Sequence, residues 1–197
     1  GIDRTFLGEE YHPKSKSIGN SQVLNRDYTK QGEIEIVLKE MADQVATRVR
    51  KAGLKSSCIS LYIGFSMGYV DEDGKRGFSA QLKVKPTSSS KTIGSYVLGI
   101  FRKFYTTNQV IRNVGVGCSN LVSGDRVQLD LFGETAAEDD NDMVDAVVDQ
   151  LRSKYGFKKV VYANSLLEGG RAIARSSLVG GHAGGLGGLE EGEQHKR

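Results

Sequence analysis

The 197-residue chain holds two cysteines and three histidines. That is too few, too scattered, for a metal site or a disulfide framework. Cys58 and Cys118 fall in expected strands and read as buried free thiols of a cytoplasmic protein. His12, His182 and His195 have no metal-ligand spacing to one another or to the cysteines. No apolar run approaches the roughly 18 residues of a membrane-spanning helix, so no membrane partner is expected. No signal peptide is visible, and the first residue is Gly rather than Met. Residues 1–13, closed by Pro13, read as a connector, so the chain is expected to be a piece of something longer. No nucleophile–base constellation appears, which leaves no reaction to assign.

What is present is divided charge. The net charge is +3. Residues 1–127 carry 19 Lys and Arg against 12 Asp and Glu, or +7, and residues 128–197 carry 8 against 12, or −4. A basic half facing a polyanion and an acidic half facing something else is the simplest account.

The periodicities alternate between strand and helix. Residues 14–25 read as a strand, with Gly19 a bulge or a close backbone approach. Arg26 to Thr29 reads as a polar turn with Thr29 as N-cap. Ile34, Val37, Leu38, Met41, Val45 and Val49 mark a helix over 31–52, stopped by Gly53. Over 56–67, Ile59, Leu61, Ile63, Phe65 and Met67 alternate with Cys58, Ser60, Tyr62, Gly64 and Ser66. A turn at Asp71–Gly74 leads to a strand over 77–85, with Phe78, Ala80, Leu82 and Val84 inward and Ser79, Gln81, Lys83 and Lys85 outward. A helix over 91–107 shows Ile93, Tyr96, Val97, Ile100 and Phe104 on one stripe. A last strand over 110–121 sets Val114, Val116 and Cys118 against Asn113, Gly115, Gly117 and Ser119. The fold class is therefore α+β. The order β-α-β-β-α-β gives a four-stranded sheet with two helices on one face and an open side, plus a C-terminal helical extension.

An open face of Ser, Gly, Gln, Asn and Lys lets a bulky partner approach the backbone. Its hydroxyls, amides and amines suit phosphates, which points to duplex binding without sequence preference. Single-stranded RNA would need exposed aromatics, and only Tyr62 qualifies. A merely solvated sheet face is the plain alternative. After this unit, Gln128-Leu129-Asp130-Leu131-Phe132 sits among turn-formers, Ser123, Gly124 and Asp125 before it and Gly133 after it. It reads either as a core-covering strand or helix start, or as a docking peptide anchored by Leu131 and Phe132. Beyond it, an amphipathic helix over 138–153 carries Met143, Val144, Val147, Val148 and Leu151, a stripe expected to pack against the preceding unit, with a surface for a partner protein as the alternative. Gly156 stops it, and Val160–Tyr162 reads as a strand. Its acidic residues Asp139, Asp140, Asp142 and Asp145 suit a helix start rather than a metal.

Lys16-Ser17-Ile18-Gly19, followed by Val23-Leu24-Asn25-Arg26-Asp27-Tyr28, resembles the start of the little-finger domain of Y-family translesion DNA polymerases. The nearest likeness is to the UmuC-like (ImpB/MucB/SamB) branch of Gram-positive bacteria. Gln128–Phe132 is similar to that branch's sliding-clamp-binding peptide, and Ser165–Gly170 with Gly180-Gly181-His182 resembles its C-terminal end. The resemblance implies a connector from a thumb domain over 1–13 and a DNA-gripping little finger over 14–122. It further implies a linker with the clamp peptide over 123–133, a helix/strand extension over 134–182 and a flexible tail over 183–197. The implied function is the non-catalytic C-terminal part of an error-prone polymerase acting in SOS DNA damage tolerance. Its partners would be template–primer duplex, a bacterial sliding clamp and an SOS accessory protein. The Mg²⁺ that the family's chemistry needs belongs to palm carboxylates not found here, so no cofactor is expected in this chain. Strand parity assigns the duplex contacts to Lys14, Lys16, Ser17, Gly19, Lys83, Lys85, Arg112 and Asn113. The rival readings are a free-standing nucleic-acid-binding adaptor of split βαβ type and a small ferredoxin-like enzyme or ligand-binding domain.

Overall fold

The structure, a computed structural model, describes residues 16–124, 136–179 and 182–183. Lys14 and the pentapeptide at 128–132 lie outside the described residues, as do the connector over 1–13 and the tail from 184 onward. Strands β1 (Ile18–Tyr28), β2 (Leu54–Phe65), β3 (Gly77–Thr87) and β4 (Ile111–Ser123) form one antiparallel sheet in the order β1-β4-β2-β3. Helices α1 (Gln31–Lys51) and α2 (Ser90–Phe104) pack on each other and on one face of it.

The core follows the periodicities. All six apolar positions expected for α1 are buried, and Ile59, Leu61, Ile63, Val114, Val116 and Cys118 meet them from the sheet. Each such side chain contributes roughly 1.5–3 kcal/mol on burial. Gly53 ends α1 with φ +67, a conformation that favours glycine, and its carbonyl accepts from Gly124 N at 2.8 Å. Helix α2 is capped by Ser89, whose Oγ accepts from Thr92 N.

Several local expectations give way to tertiary contacts. Strand β1 runs on through the stretch expected to turn, because Tyr28 is a core residue whose hydroxyl donates to Gly169 O at 3.1 Å. The N-cap of α1 is then Lys30, without a side-chain bond, rather than Thr29. Met67 falls beyond the end of β2 and is exposed, and Leu82 is exposed because β3 is an edge strand. Phe104 stays largely exposed at the end of α2, while Leu98 and Phe101 are buried in its place.

The larger departure is in helix α3 (Ala136–Tyr155), which packs against the outer side of α1. Its apolar stripe was expected to face inward, yet α3 docks through Asp145, Asp149 and Arg152. Arg50 of α1 holds both carboxylates, with Nε to Asp149 Oδ2 at 2.7 Å and Nη1 to Asp145 Oδ2 at 3.1 Å. Asp145 also accepts from Ser90 N at 2.7 Å, adding charge at the N-terminus of α2. Arg152 binds Asp43 Oδ2 at 2.7 Å. Burial raises the Asp145 carboxyl above its usual range. Burial pushes Asp149 the same way, but its bonds to Arg50 and Thr47 bring it below the ordinary value.

Residues 160–162 are not a strand. Single 3-10 turns, Phe157–Lys159 and Ala163–Leu166, stand on either side of them. The chain is folded around Arg152, whose Nε donates to Val160 O at 2.9 Å and whose guanidinium lies 4.8 Å from the Phe157 ring centroid. The short helix α4 (Ala172–Arg175) is tied to α1 by Glu40 Oε2, which accepts from Arg171 N and Ala172 N at 2.7 and 2.9 Å. A small hairpin follows, β5 (Leu178–Val179) paired with β6 (His182–Ala183).

Candidate nucleic-acid interface

The register sorts the sheet into two faces. Cross-strand rows Ile18–Cys118–Ile59–Leu82, Asn20–Val116–Leu61–Ala80 and Gln22–Val114–Ile63–Phe78 turn toward the helices. The alternating rows turn away: Gly19–Gly117–Ser60–Gln81, Ser21–Gly115–Tyr62–Ser79 and Val23–Asn113–Gly64–Gly77. No described element covers this second face. Its floor forms a shallow depression of about 610 Å³ bounded by Gly19, Ser21, Tyr62, Ser79 and Gln81.

The small side chains follow from how closely the strands and their side chains meet. A Cβ on Gly117 would lie 2.6 Å from Ser60 Oγ, and one on Gly19 would lie 3.1 Å from Val116 O. Gly19 is thus a close approach to the next strand, not a bulge. The Tyr62 ring lies down across the glycines, with its hydroxyl over Gly64. Four strands about 4.8 Å apart make a floor roughly 14 Å wide, and the seven residues from Gly77 to Lys83, six steps, extend it for roughly 20 Å. That length matches about six base steps of a duplex.

Polar and basic groups sit at both ends. At one end, Lys83 pairs with Cys58 and Cys58 with Ser119, while Lys16 and Ser17 run up to Ile18, the partner of Cys118. Lys16, Ser17 and Lys83 are exposed. Lys85 lies in an irregular stretch where β3 carries two more residues than β2, between the pairs Ser56↔Thr87 and Cys58↔Lys83. At the other end, Asn113 stands beside Gly64, and Arg112 is the extra residue of a bulge between Gly64↔Asn113 and Phe65↔Ile111. Asp27 Oδ1 lies 3.4 Å from Arg112 Nη1 and its Oδ2 accepts from Ser66 Oγ at 3.0 Å, so Arg112 is held at the sheet's end.

Of the sequence-assigned contacts, Lys16, Ser17, Gly19, Lys83 and Asn113 come together on or beside the open face. Arg112 borders it in an ion pair. The centre of the face, Ser21, Ser60, Tyr62, Ser79, Gln81, Gly115 and Gly117, was not singled out as contacts. Strand alternation already placed most of these residues outward; only the pairing shows that they share one floor.

The described residues contain no cluster of three or more His, Cys, Asp or Glu fit to hold a metal ion. Both cysteines are free and buried, and burial raises the Cys118 thiol. No described helix is long and apolar enough to cross a membrane. A groove of about 490 Å³ lies between α1, α2 and α3, walled by Leu98, Val144 and Phe157. Of its acids, Asp43 is held by Arg152, Asp145 by Arg50, and Glu40 accepts through Oε2 from the backbone of Arg171 and Ala172.

Among known proteins, residues 15–131 match the impB/mucB/samB family C-terminal domain. A Bacillus subtilis (strain 168) protein named for UV-damage repair, UvrX, is 37% identical over 185 residues, covering 92% of this chain and 42% of that protein. DNA polymerase IV 2 of the same organism is 32% identical over 184 residues, covering 92% of this chain and 43% of the relative. The chain thus spans less than half the length of these relatives. A solved complex of the beta-clamp processivity factor and the little finger domain of PolIV is similar at 15% identity and a TM-score of 0.42, over 60% of this chain.

Proposed function

The chain belongs to the impB/mucB/samB family C-terminal domain, and from that premise we propose that it is the non-catalytic C-terminal part of an error-prone translesion DNA polymerase. In this reading it is a cytoplasmic module that grips template–primer duplex and docks on the sliding clamp during SOS damage tolerance. The observation that carries the grip is the uncovered sheet face, floored by glycine, hydroxyl and amide groups with lysines at its margin. A floor of mostly small side chains, with the Tyr62 ring lying across its glycines and Val23 at its margin, lets the sugar–phosphate backbone approach. Ser21, Ser60, Ser79 and Gln81 then supply hydrogen bonds, and Lys16 and Lys83 supply charge. None of these groups is arranged to read base edges, so binding should tolerate any sequence.

The salt dependence of duplex binding tests the grip. The chain is expected to bind primer–template weakly, with affinity falling steeply as salt rises, because each neutralised phosphate releases counterions. Replacing Lys83 and Lys85 by Ala should flatten the log–log salt slope by about one to two units. An unchanged slope would place the duplex elsewhere. Catalysis gives a second test. The chain by itself is expected to incorporate no nucleotide with Mg²⁺ or Mn²⁺, and primer extension by the purified chain would overturn the non-catalytic reading.

A further inference from the structure

Helix α3 is docked with its amphipathicity reversed. The face bearing Asp145, Asp149 and Arg152 is turned to the body of the protein, while Met143, Val144, Val147, Leu151 and Tyr155 stand 69%, 60%, 55%, 38% and 54% exposed. These five fall on one arc of a helix, over about three and a half turns. A continuous apolar stripe of this kind is the usual mark of an interaction surface, whereas scattered apolar residues are not.

The charges at its ends indicate what covers it. The helix begins with Glu138, Asp139 and Asp140 and ends at Lys154, with Lys158 and Lys159 in the turn beyond. Lys158 and Lys159 have no ion-pair partner among the described residues, and Lys154 only lies over the Tyr155 ring. We propose that the α3 stripe is a self-pairing surface on which a second copy of this chain docks through its own α3, antiparallel. Such pairing sets Val147 opposite Leu151, Met143 opposite Tyr155, and the acidic start of one helix beside the basic end of the other. Because the contact is isologous, every favourable pair occurs twice. Parallel pairing would instead put like charges together at both ends. Helix α3 is seated on α1 and the start of α2 rather than on the open sheet face, so pairing through it leaves that face uncovered. A single helix pair lies at the low end of interface size, so the association is weak and depends on concentration.

Sedimentation velocity and light scattering of the full chain over a wide concentration range test this. The mean mass is expected to rise from one chain toward two. Val147→Glu with Leu151→Glu should hold it at one chain with unchanged circular dichroism, since both residues are exposed. Two charge variants separate this partner from any other. Asp139→Lys with Asp140→Lys, and Lys154→Asp with Lys158→Asp, should each weaken self-association by on the order of tenfold. Mixed one to one, the two variants should associate again, because every end then meets its opposite. A chain that stays monomeric at all concentrations overturns the proposal. So does a dimer indifferent to the Val147/Leu151 change, or a mixture that does not recover.

Discussion

Changing Leu131 and Phe132 together to Ala is expected to weaken binding to a bacterial sliding clamp by at least on the order of a hundredfold. Burying one such side chain is worth roughly 1.5–3 kcal/mol, so losing two costs at least about 3 kcal/mol, and each factor of ten takes about 1.4 kcal/mol. In the proposed docking, Leu131 and Phe132 fill an apolar pocket on the clamp. Gln128 bonds at its rim, Leu129 adds a secondary contact and Asp130 points outward. The pentapeptide begins four residues after Gly124, whose N–H donates to Gly53 O at the end of the four-stranded sheet. In that proposal clamp and duplex contacts are carried on one chain, and each would raise the effective concentration of the other. Titration of purified clamp against wild type and the double variant gives the measurement, with circular dichroism as a control for folding. Duplex binding without clamp should not change, because the proposed duplex contacts, Lys16 and Lys83 among them, are other residues. A double variant that binds clamp as well as wild type would remove the pentapeptide from the docking site. One that unfolds would make Leu131 and Phe132 core residues.

Replacing Arg50 by Met is expected to destabilise the fold by about 3–5 kcal/mol, since two carboxylates lose their shared counter-ion while still desolvated. Arg50 also donates to Ser88 O at 2.7 Å and to Ser90 Oγ at 3.1 Å, so its loss loosens the start of α2 as well as the seat of α3. Denaturant melts give the magnitude, and amide exchange along α3 shows whether the helix undocks first. The sign of the pH dependence follows from the carboxylates. Asp149 is held below its ordinary value in the wild type, so its contribution is present above the usual carboxylate range and is lost as pH falls. In the variant, both carboxyls are buried without the guanidinium and are expected to titrate high, so protonation relieves them. Asp145, already raised by burial, shows that direction in the wild type. The gap between wild type and variant should therefore narrow on acidification, beginning above the ordinary carboxylate range near pH 4, where the variant's carboxyls take up protons, and continuing below it as Asp149 of the wild type is protonated. A gap that stays constant or widens would mean that the Arg50 network does not hold α3.

Much of the sheet was legible in the chain because a strand's side chains alternate with a period of two. Ile59, Leu61 and Ile63 against Ser60, Tyr62 and Gly64 leave one choice of inward face, and the register confirms it. The same holds for α1, where six apolar residues at helical spacing are all buried. Tyr28 was not legible, since its burial depends on Gly169, 141 residues away. Arg112 was assigned to the open face beside Asn113, although strict alternation sets neighbours on opposite faces; a bulge breaks the alternation at that residue, and Asp27 meets it there. Helix α3 shows the limit most plainly. Its periodicity locates the apolar face correctly, yet says nothing about which face is docked. Burial of Met143, Val144, Val147 and Leu151 was the natural expectation, and the ion pairs of Arg50 and Arg152 decided otherwise.

The sequence by itself determined the α+β class, the order of its first six elements and the small-residue face of the sheet. Each is written in local spacing, and local spacing is set by the backbone geometry of helix and strand. Its motifs likewise carried the resemblance to the family that residues 15–131 match. Only the tertiary structure decided that β4 lies between β1 and β2, so that Gly19, Gly117, Ser60 and Gln81 form one row of a common floor. Only it decided that α3 turns its charges inward. Both depend on partners far apart in the chain, Asp149 lying 99 residues from Arg50. A charge buried against its opposite and an apolar stripe buried against a core are competing solutions for the same helix, and only the partner's surface selects between them.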